Sequence, residues 1–346
     1  MGWKPRGVSF SSGGVRVLGQ VGVLARLIEE GVVDAVTDWY GCSGGCLPAF
    51  VGALGASSPW IRDVVEMLDM SRFVVPDPQF VADYMAHWGV SDGTALLEFY
   101  CRIVDTWTPG ASQWTFADLA RERPGVRLTL LATNVTRGCQ ELYSLEHTPN
   151  AKIVREALRA SMAVPLFFTP SVSASGDYIC DGAITEYYVW RSVQDKENTL
   201  VIGCDDGAIM GRPLPACSIR SLGDYIGRVV KIGHHSSNPA SVPRNWIAVN
   251  DSQSFLNFKI TREERLALFR LGVVAAERWL AFRRQAAVGG TDGSRPECGD
   301  QSTLSSGRPS PDRTSGSHQS QTPLRLPYPS RDSPREGRLP VRRWSL

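Results

Sequence analysis

The chain has 346 residues, 42% apolar and 21% charged, enough to bury a sizeable core in one or two globular domains. Its formal net charge of +2 is close to neutral and gives no argument for a nucleic-acid partner, so none is expected. Eight cysteines, at 42, 46, 101, 139, 180, 204, 217 and 298, lack the short paired spacings of a disulfide framework or zinc site, and read as buried free thiols in a reducing compartment.

The N-terminal MGWKPRGVSF has no apolar signal core, and Arg6 stands where a myristoylation signal following Gly2 would carry Ser or Thr. No run of 18 or more apolar residues occurs. The expectation is an intracellular protein, cytoplasmic or peripherally membrane-associated. In chain order, RGVSFSS (6–12) reads as a short alternating strand, and LGQVGVLARLIEEGV (18–32) as a helix with apolar spacing at Val21, Leu24, Leu27 and Ile28. DAVTDWYGCSG (34–44) reads as a second strand ending in a Gly-rich turn, followed by a helix over GCLPAFVGALGA (45–56). VRLTLLATNV (126–135) is the clearest buried strand, followed by short strands at YICDGA (178–183) and NTLVIGCDD (198–206). Strands alternating with helices predict a largely parallel sheet covered on both faces.

A last helix opens on Thr261 with Glu264 as its capping-box partner, and carries Leu268, Leu271, Trp279 and Phe282 among arginines. It is expected to pack its apolar face on the domain; the alternative is an interfacial helix with arginines near anionic head groups. From Ala286 the composition turns Ser-, Pro- and Arg-rich, with nine arginines against six acids, and disorder is expected to the C-terminus. This divides the chain into a domain over 1–285 and a tail over 286–346. The tail is either a silent extension or a segment that binds an unidentified partner.

Three short elements carry chemistry. Gly41-Cys-Ser43-Gly-Gly45 fits G-x-S-x-G, a nucleophile elbow in which glycines let a serine sit on a strained strand-to-helix turn. Alone the pentapeptide is weak, but an apolar strand precedes it and an apolar helix follows. Ser11-Ser12-Gly13-Gly14-Val15-Arg16 links the first strand to the first helix, where unpaired backbone N–H groups can bind a phosphate or an oxyanion. Neither a dinucleotide-binding nor a P-loop glycine pattern is present, which leaves an oxyanion hole or a plain turn. Asp181-Gly-Ala closes a strand, placing a carboxylate at a turn. Cys42 and Cys46 flank Ser43, but two thiols without a nearby His or Asp make a poor metal site, and no metal or other cofactor is expected.

Together these elements resemble the patatin-like phospholipase family. That family has a G-G-G-x-R-G loop, a G-x-S-x-G elbow and a later D-G-[AG]. TFADL (115–119), LLATNVTRGCQELYS (130–144) and ALRASMAVPLFFTP (157–170) match in family order, the last resembling A-S-x-A-x-P. The resemblance spans roughly residues 6–285. It implies a three-layer α/β domain, with a mostly parallel central sheet between helices, acting on lipid at a membrane surface or aggregate. It also implies a Ser43–Asp181 dyad that hydrolyses acyl esters without a histidine, and an oxyanion hole built from Gly13 and Gly14. Gly41 and Gly45 would shape the elbow, with Ser12 and Arg16 supporting the loop. Two departures stand out: Ser12 replaces the loop's first glycine and Val17 its last. Arg16 is expected either to orient the loop or to meet a phosphate head group.

Three rivals remain at this level. An α/β-hydrolase triad would recruit His234 or His235 with Asp181 or Asp206, although its elbow normally follows more strands than precede Ser43 here. A non-catalytic lipid-binding or scaffold protein could keep the fold, with the altered loop as its only sign. Acyl transfer to an acceptor other than water would use the same acyl-enzyme.

Overall fold

The computed structural model describes residues 3–68, 84–204, 228, 243, 245–251 and 257–289. The chain divides into two units, Met1–Gly293 and Ser294–Leu346; the second lies wholly outside the described residues, as does the expected disordered tail beyond 289.

The first unit is a mixed α/β domain around one large sheet. Its strands are β1 (Gly7–Phe10), β2 (Asp38–Cys42), β4 (Arg127–Asn134), β5 (Cys139–Ser144), β7 (Ser171–Val172), β8 (Tyr178–Asp181), β9 (Thr199–Cys204) and β10 (Trp246–Val249). They lie in the order β10-β9-β1-β2-β4-β8-β7, with β5 also paired to β4. The first five run parallel, whereas β5 and β8 pair antiparallel with β4. A separate two-stranded sheet joins β3 (Gly89–Ser91) to β6 (Leu166–Phe168).

Alternation along the parallel strands separates two cores, because successive side chains of a strand face opposite ways. Val8, Phe10, Trp39, Leu128, Leu130, Leu200 and Ile202 join the larger cluster. That cluster is filled by helices α1 (Val17–Glu29), α2 (Cys46–Ala53), α3 (Ser58–Met67), α4 (Thr94–Trp107), α5 (Phe116–Glu122) and α6 (Arg262–Gly289). Tyr40, Cys42, Leu131 and Val201 face the other way, against Ala183, Tyr187, Tyr188, Val189, Trp190 and Val193.

The expected strands and helices around β1, α1, β2, α2, β4, β8 and β9 are present within a few residues of their predicted bounds. The capping box at α6 is formed: the Thr261 N–H donates to the Glu264 carboxylate at 2.8 Å and the Glu264 N–H to the Thr261 hydroxyl at 3.2 Å. The helix continues to Gly289, past the expected boundary at 285. It packs on α1, but its buried stripe is Leu268, Phe269, Ala276 and Leu280, while Leu271, predicted on that stripe, is 44% exposed. Glycines set this phase. A methyl group on Gly22 of α1 would overlap the Phe269 carbonyl, and one on Gly272 of α6 would overlap the Gly19 carbonyl. The two backbones therefore touch. Gly22→Ala is expected to lower unfolding stability by about 1–3 kcal/mol, read from urea denaturation, because overpacking outweighs the helix propensity gained.

Candidate active site

The parallel strands all point their C-terminal ends to one edge, where ligands bind in open α/β sheets. Ser43 follows β2 directly and adopts φ +52°, one of three described non-glycine residues in the left-handed region. This conformation costs of order 1–3 kcal/mol and persists only where surroundings enforce it. The enforcement is backbone packing. A methyl group on Gly45 would lie 2.5 Å from the Ser11 carbonyl oxygen and 2.8 Å from that of Phe10, and one on Gly44 3.0 Å from the Gly14 carbonyl oxygen. One on Gly41 would lie 2.6 Å from the Cys46 Cα. The elbow thus lies backbone to backbone on the loop that follows β1.

Asp181 reaches Ser43 through the register of β4. Leu131 of β4 faces Cys42 of β2, and the next residue, Ala132, faces Asp181 of β8. Since β5 pairs along Thr129–Asn134, β2 and β8 share the opposite edge of β4 in succession. One runs parallel and the other antiparallel to β4, so their C-terminal ends abut. The Ser43 hydroxyl donates to Asp181 Oδ2 at 2.6 Å, and the Ala183 N–H donates to Oδ1 at 2.8 Å. Ser43 and Asp181 are 5% and 3% exposed. Burial pushes the Asp181 carboxyl up to about 7, against the pull of the hydrogen bonds from Ser43 and the Ala183 N–H.

In the glycine loop, Gly14 has φ +53°, and the Ser12 N–H donates to the Tyr187 carbonyl at 2.7 Å. Among the described residues, the N–H groups of Gly13 and Gly14 have no hydrogen-bond partner. The loop's carbonyls are held from below by Gln20, whose side-chain amide donates to the Ser11 carbonyl at 3.0 Å and reaches the Ser12 carbonyl at 3.5 Å. Neither departure from the family's glycines meets a backbone obstacle. Val17 opens α1 at φ −54°, and Ser12 is not among the left-handed residues.

Arg16 turns inward. Its guanidinium meets Asp251, just beyond β10, at 2.9 Å, with side-chain exposures of 3% and 2%. The pair joins the loop that follows β1 to the residue two positions beyond β10. Asp251 and Gln20 were not singled out from sequence. A glutamine one turn into a helix carries no motif signal, and Asp251 lies 235 residues from Arg16. The Cys42 thiol donates to the Glu186 carbonyl at 3.2 Å and the Cys46 thiol to Ser161 Oγ at 3.0 Å. Asp206, His234 and His235 lie outside the described residues, as do Cys217 and Cys298. No helix among the described residues is long and apolar enough to cross a membrane.

Several solved structures are similar to this chain, and VipD shares its architecture. VipD from Legionella pneumophila is 18% identical, with a TM-score of 0.51 over 80% of this chain and 67% of that one. Human GIVD cytosolic phospholipase A2, solved with methyl gamma-linolenyl fluorophosphonate, is 13% identical, with a TM-score of 0.43 over 82% and 59%. ExoU from Pseudomonas aeruginosa, solved with SpcU, is 12% identical, with a TM-score of 0.39 over 80% and 53%. The chain thus spans two thirds of VipD and a little over half of the other two. Comparison with curated protein sequences returned no match. The sequence profile described as Patatin-like phospholipase matches residues 8–188, a span that takes in the glycine loop, the elbow and Asp181. By that match over more than half its length, the chain belongs to the patatin-like phospholipase family.

Proposed function

We propose that this protein is a lipid acyl hydrolase that cleaves carboxylic esters through Ser43 and Asp181. The observation that carries the reading is the buried 2.6 Å hydrogen bond from the Ser43 hydroxyl to Asp181. A serine hydroxyl is a weak nucleophile until a base takes its proton. A carboxyl raised to about 7 is a better-matched base at neutral pH than an ordinary aspartate. Asp181 Oδ2 accepts the proton as Ser43 Oγ attacks the ester carbonyl, and the protonated carboxyl then returns it to the leaving alcohol. Water hydrolyses the acyl-serine, with Asp181 again acting as base. Through both steps the carbonyl oxygen carries negative charge, and we assign the N–H groups of Gly13 and Gly14 to meet it. Each donor of this kind contributes about 10²–10³ in rate.

Lipid as the substrate class follows from family membership. The protein is expected to meet its substrate at a membrane surface or aggregate, with no metal or other cofactor. The expected boundary at 285 falls inside α6, so the domain is assigned through Gly289 and the tail to the residues after it. A serine-reactive fluorophosphonate probe tests the chemistry. Wild-type protein is expected to label, Ser43→Ala to stay unlabelled, and a panel of phospholipids, lysophospholipids, triacylglycerols and galactolipids to identify the ester cleaved. A folded wild type that neither labels nor hydrolyses any of them leaves the non-catalytic reading in its place.

A further inference from the structure

Ser161 is completely buried beneath the elbow, and its hydroxyl is saturated. Its Oγ accepts the Ser43 backbone N–H at 2.9 Å and the Cys46 thiol at 3.0 Å, and donates to the Leu131 carbonyl of β4. Two lone pairs and one hydrogen are all a serine hydroxyl has. The Ser43 N–H belongs to the first turn of a helix, where no intrahelical acceptor exists. Ser161 supplies the acceptor from 118 residues away.

Leu131 matters here because it is the β4 residue that faces Cys42, immediately before the nucleophile. Its carbonyl therefore anchors the Ser161 hydroxyl to the part of the sheet against which the elbow is registered. Two residues beyond Ser161, the Ala163 carbonyl accepts the Asp181 N–H at 3.0 Å. The segment Ser161–Ala163 thus holds the backbone of both Ser43 and Asp181.

We infer that Ser161 is a positioning residue for the Ser43–Asp181 pair: its hydroxyl pins the left-handed elbow to β4 and so sets the reach of Ser43 Oγ toward the carboxylate. The inference rests on the dyad reading above. Without the hydroxyl, the Ser43 N–H loses its acceptor, and the left-handed turn loses a restraint on the side where the nucleophile must be held. The hydrogen bond from Ser43 to Asp181 then weakens, and with it the one side-chain contact that lowers the carboxyl's proton affinity.

Ser161→Ala is expected to reduce kcat by about 10²-fold with KM little changed, the effect of displacing a reacting group by about 1 Å. The rate of fluorophosphonate labelling should fall in parallel. The acid limb of kcat/KM should move to higher pH, which a loss of folding stability alone does not produce. Ser161→Thr keeps the hydroxyl and should recover at least tenfold of the lost rate and return the acid limb. A folded Ser161→Ala with kcat within threefold of wild type overturns the assignment. So does a slow variant whose acid limb has not moved and which threonine does not rescue. Should Ser161→Ala fail to fold, Ser161→Cys decides, since sulfur fills the space but accepts hydrogen bonds weakly. An unshifted acid limb in that variant overturns the assignment, and a raised one supports it. A labelled wild type with indifferent Ser161 variants removes this role alone, whereas an unlabelled, inactive wild type removes the dyad reading and this role with it.

Discussion

Asp181→Asn is expected to lower kcat/KM by about 10³–10⁴-fold while leaving the fold intact, because the amide fits the carboxylate's space but cannot take the serine's proton. Ser43→Ala should cost at least as much. The double variant should be barely worse than the more damaging single one, since residues that act as a unit are strongly non-additive. Steady-state hydrolysis of the preferred lipid by the three variants checks this. Additive losses would mean that Ser43 and Asp181 contribute independently, and would sink the dyad. The basis is geometric: the serine Oγ lies 2.6 Å from Asp181 Oδ2, and the other carboxylate oxygen is occupied by the Ala183 N–H.

Activity and stability should respond to pH in opposite directions. Asp181 must be ionised to act as base, so kcat/KM is expected to rise tenfold per pH unit below about 7 and level off above it. The stability sign follows from linkage. An aspartyl held at about 7 in the folded state, against an ordinary 3.8, binds its proton more tightly folded than unfolded. Its contribution to stability is complete below 3.8 and is lost as pH rises through about 7. A shift of about three units corresponds to about 4 kcal/mol at most, withdrawn across that window. Urea unfolding at pH 5 and pH 8 checks it: the wild type should lose stability between the two, and Asp181→Asn should lose less. A wild type whose Asp181-dependent stability increases with pH would contradict the desolvated carboxyl. On the dyad reading, the buried carboxyl would weaken the fold at the pH where it acts as base, a familiar cost of active sites.

Much of this fold was readable locally. β1, β2, β4 and β9 carry short apolar or alternating runs, and the glycines at 13, 14, 41, 44 and 45 mark the two turns where backbones must come close. Antiparallel β5, half-buried and polar as CQELYS, has no clean apolar alternation to mark it as a strand. Strand β10, four residues long, carries too little pattern to stand out. The buried face of α6 was misphased at Leu271 because hydropathy cannot show that Gly19, Gly22 and Gly272 bring two helix backbones into contact.

What the amino-acid order determined by itself was which residues are chemically equipped: a serine between glycines, a Gly-Gly turn entering a helix, and an aspartate at a strand end. Those are signals within five or six residues, set by local sterics and by which backbone groups a helix start leaves unpaired. What only the tertiary structure decided was distance and environment. The meeting of Ser43 and Asp181 depends on β2 and β8 abutting at neighbouring positions of β4, a register written across 138 residues. The inward turn of Arg16 depends on Asp251, and the acceptor for the Ser43 N–H on Ser161. Pairings of this kind arise from burial, where an unsatisfied polar group costs enough to choose its partner from anywhere in the chain.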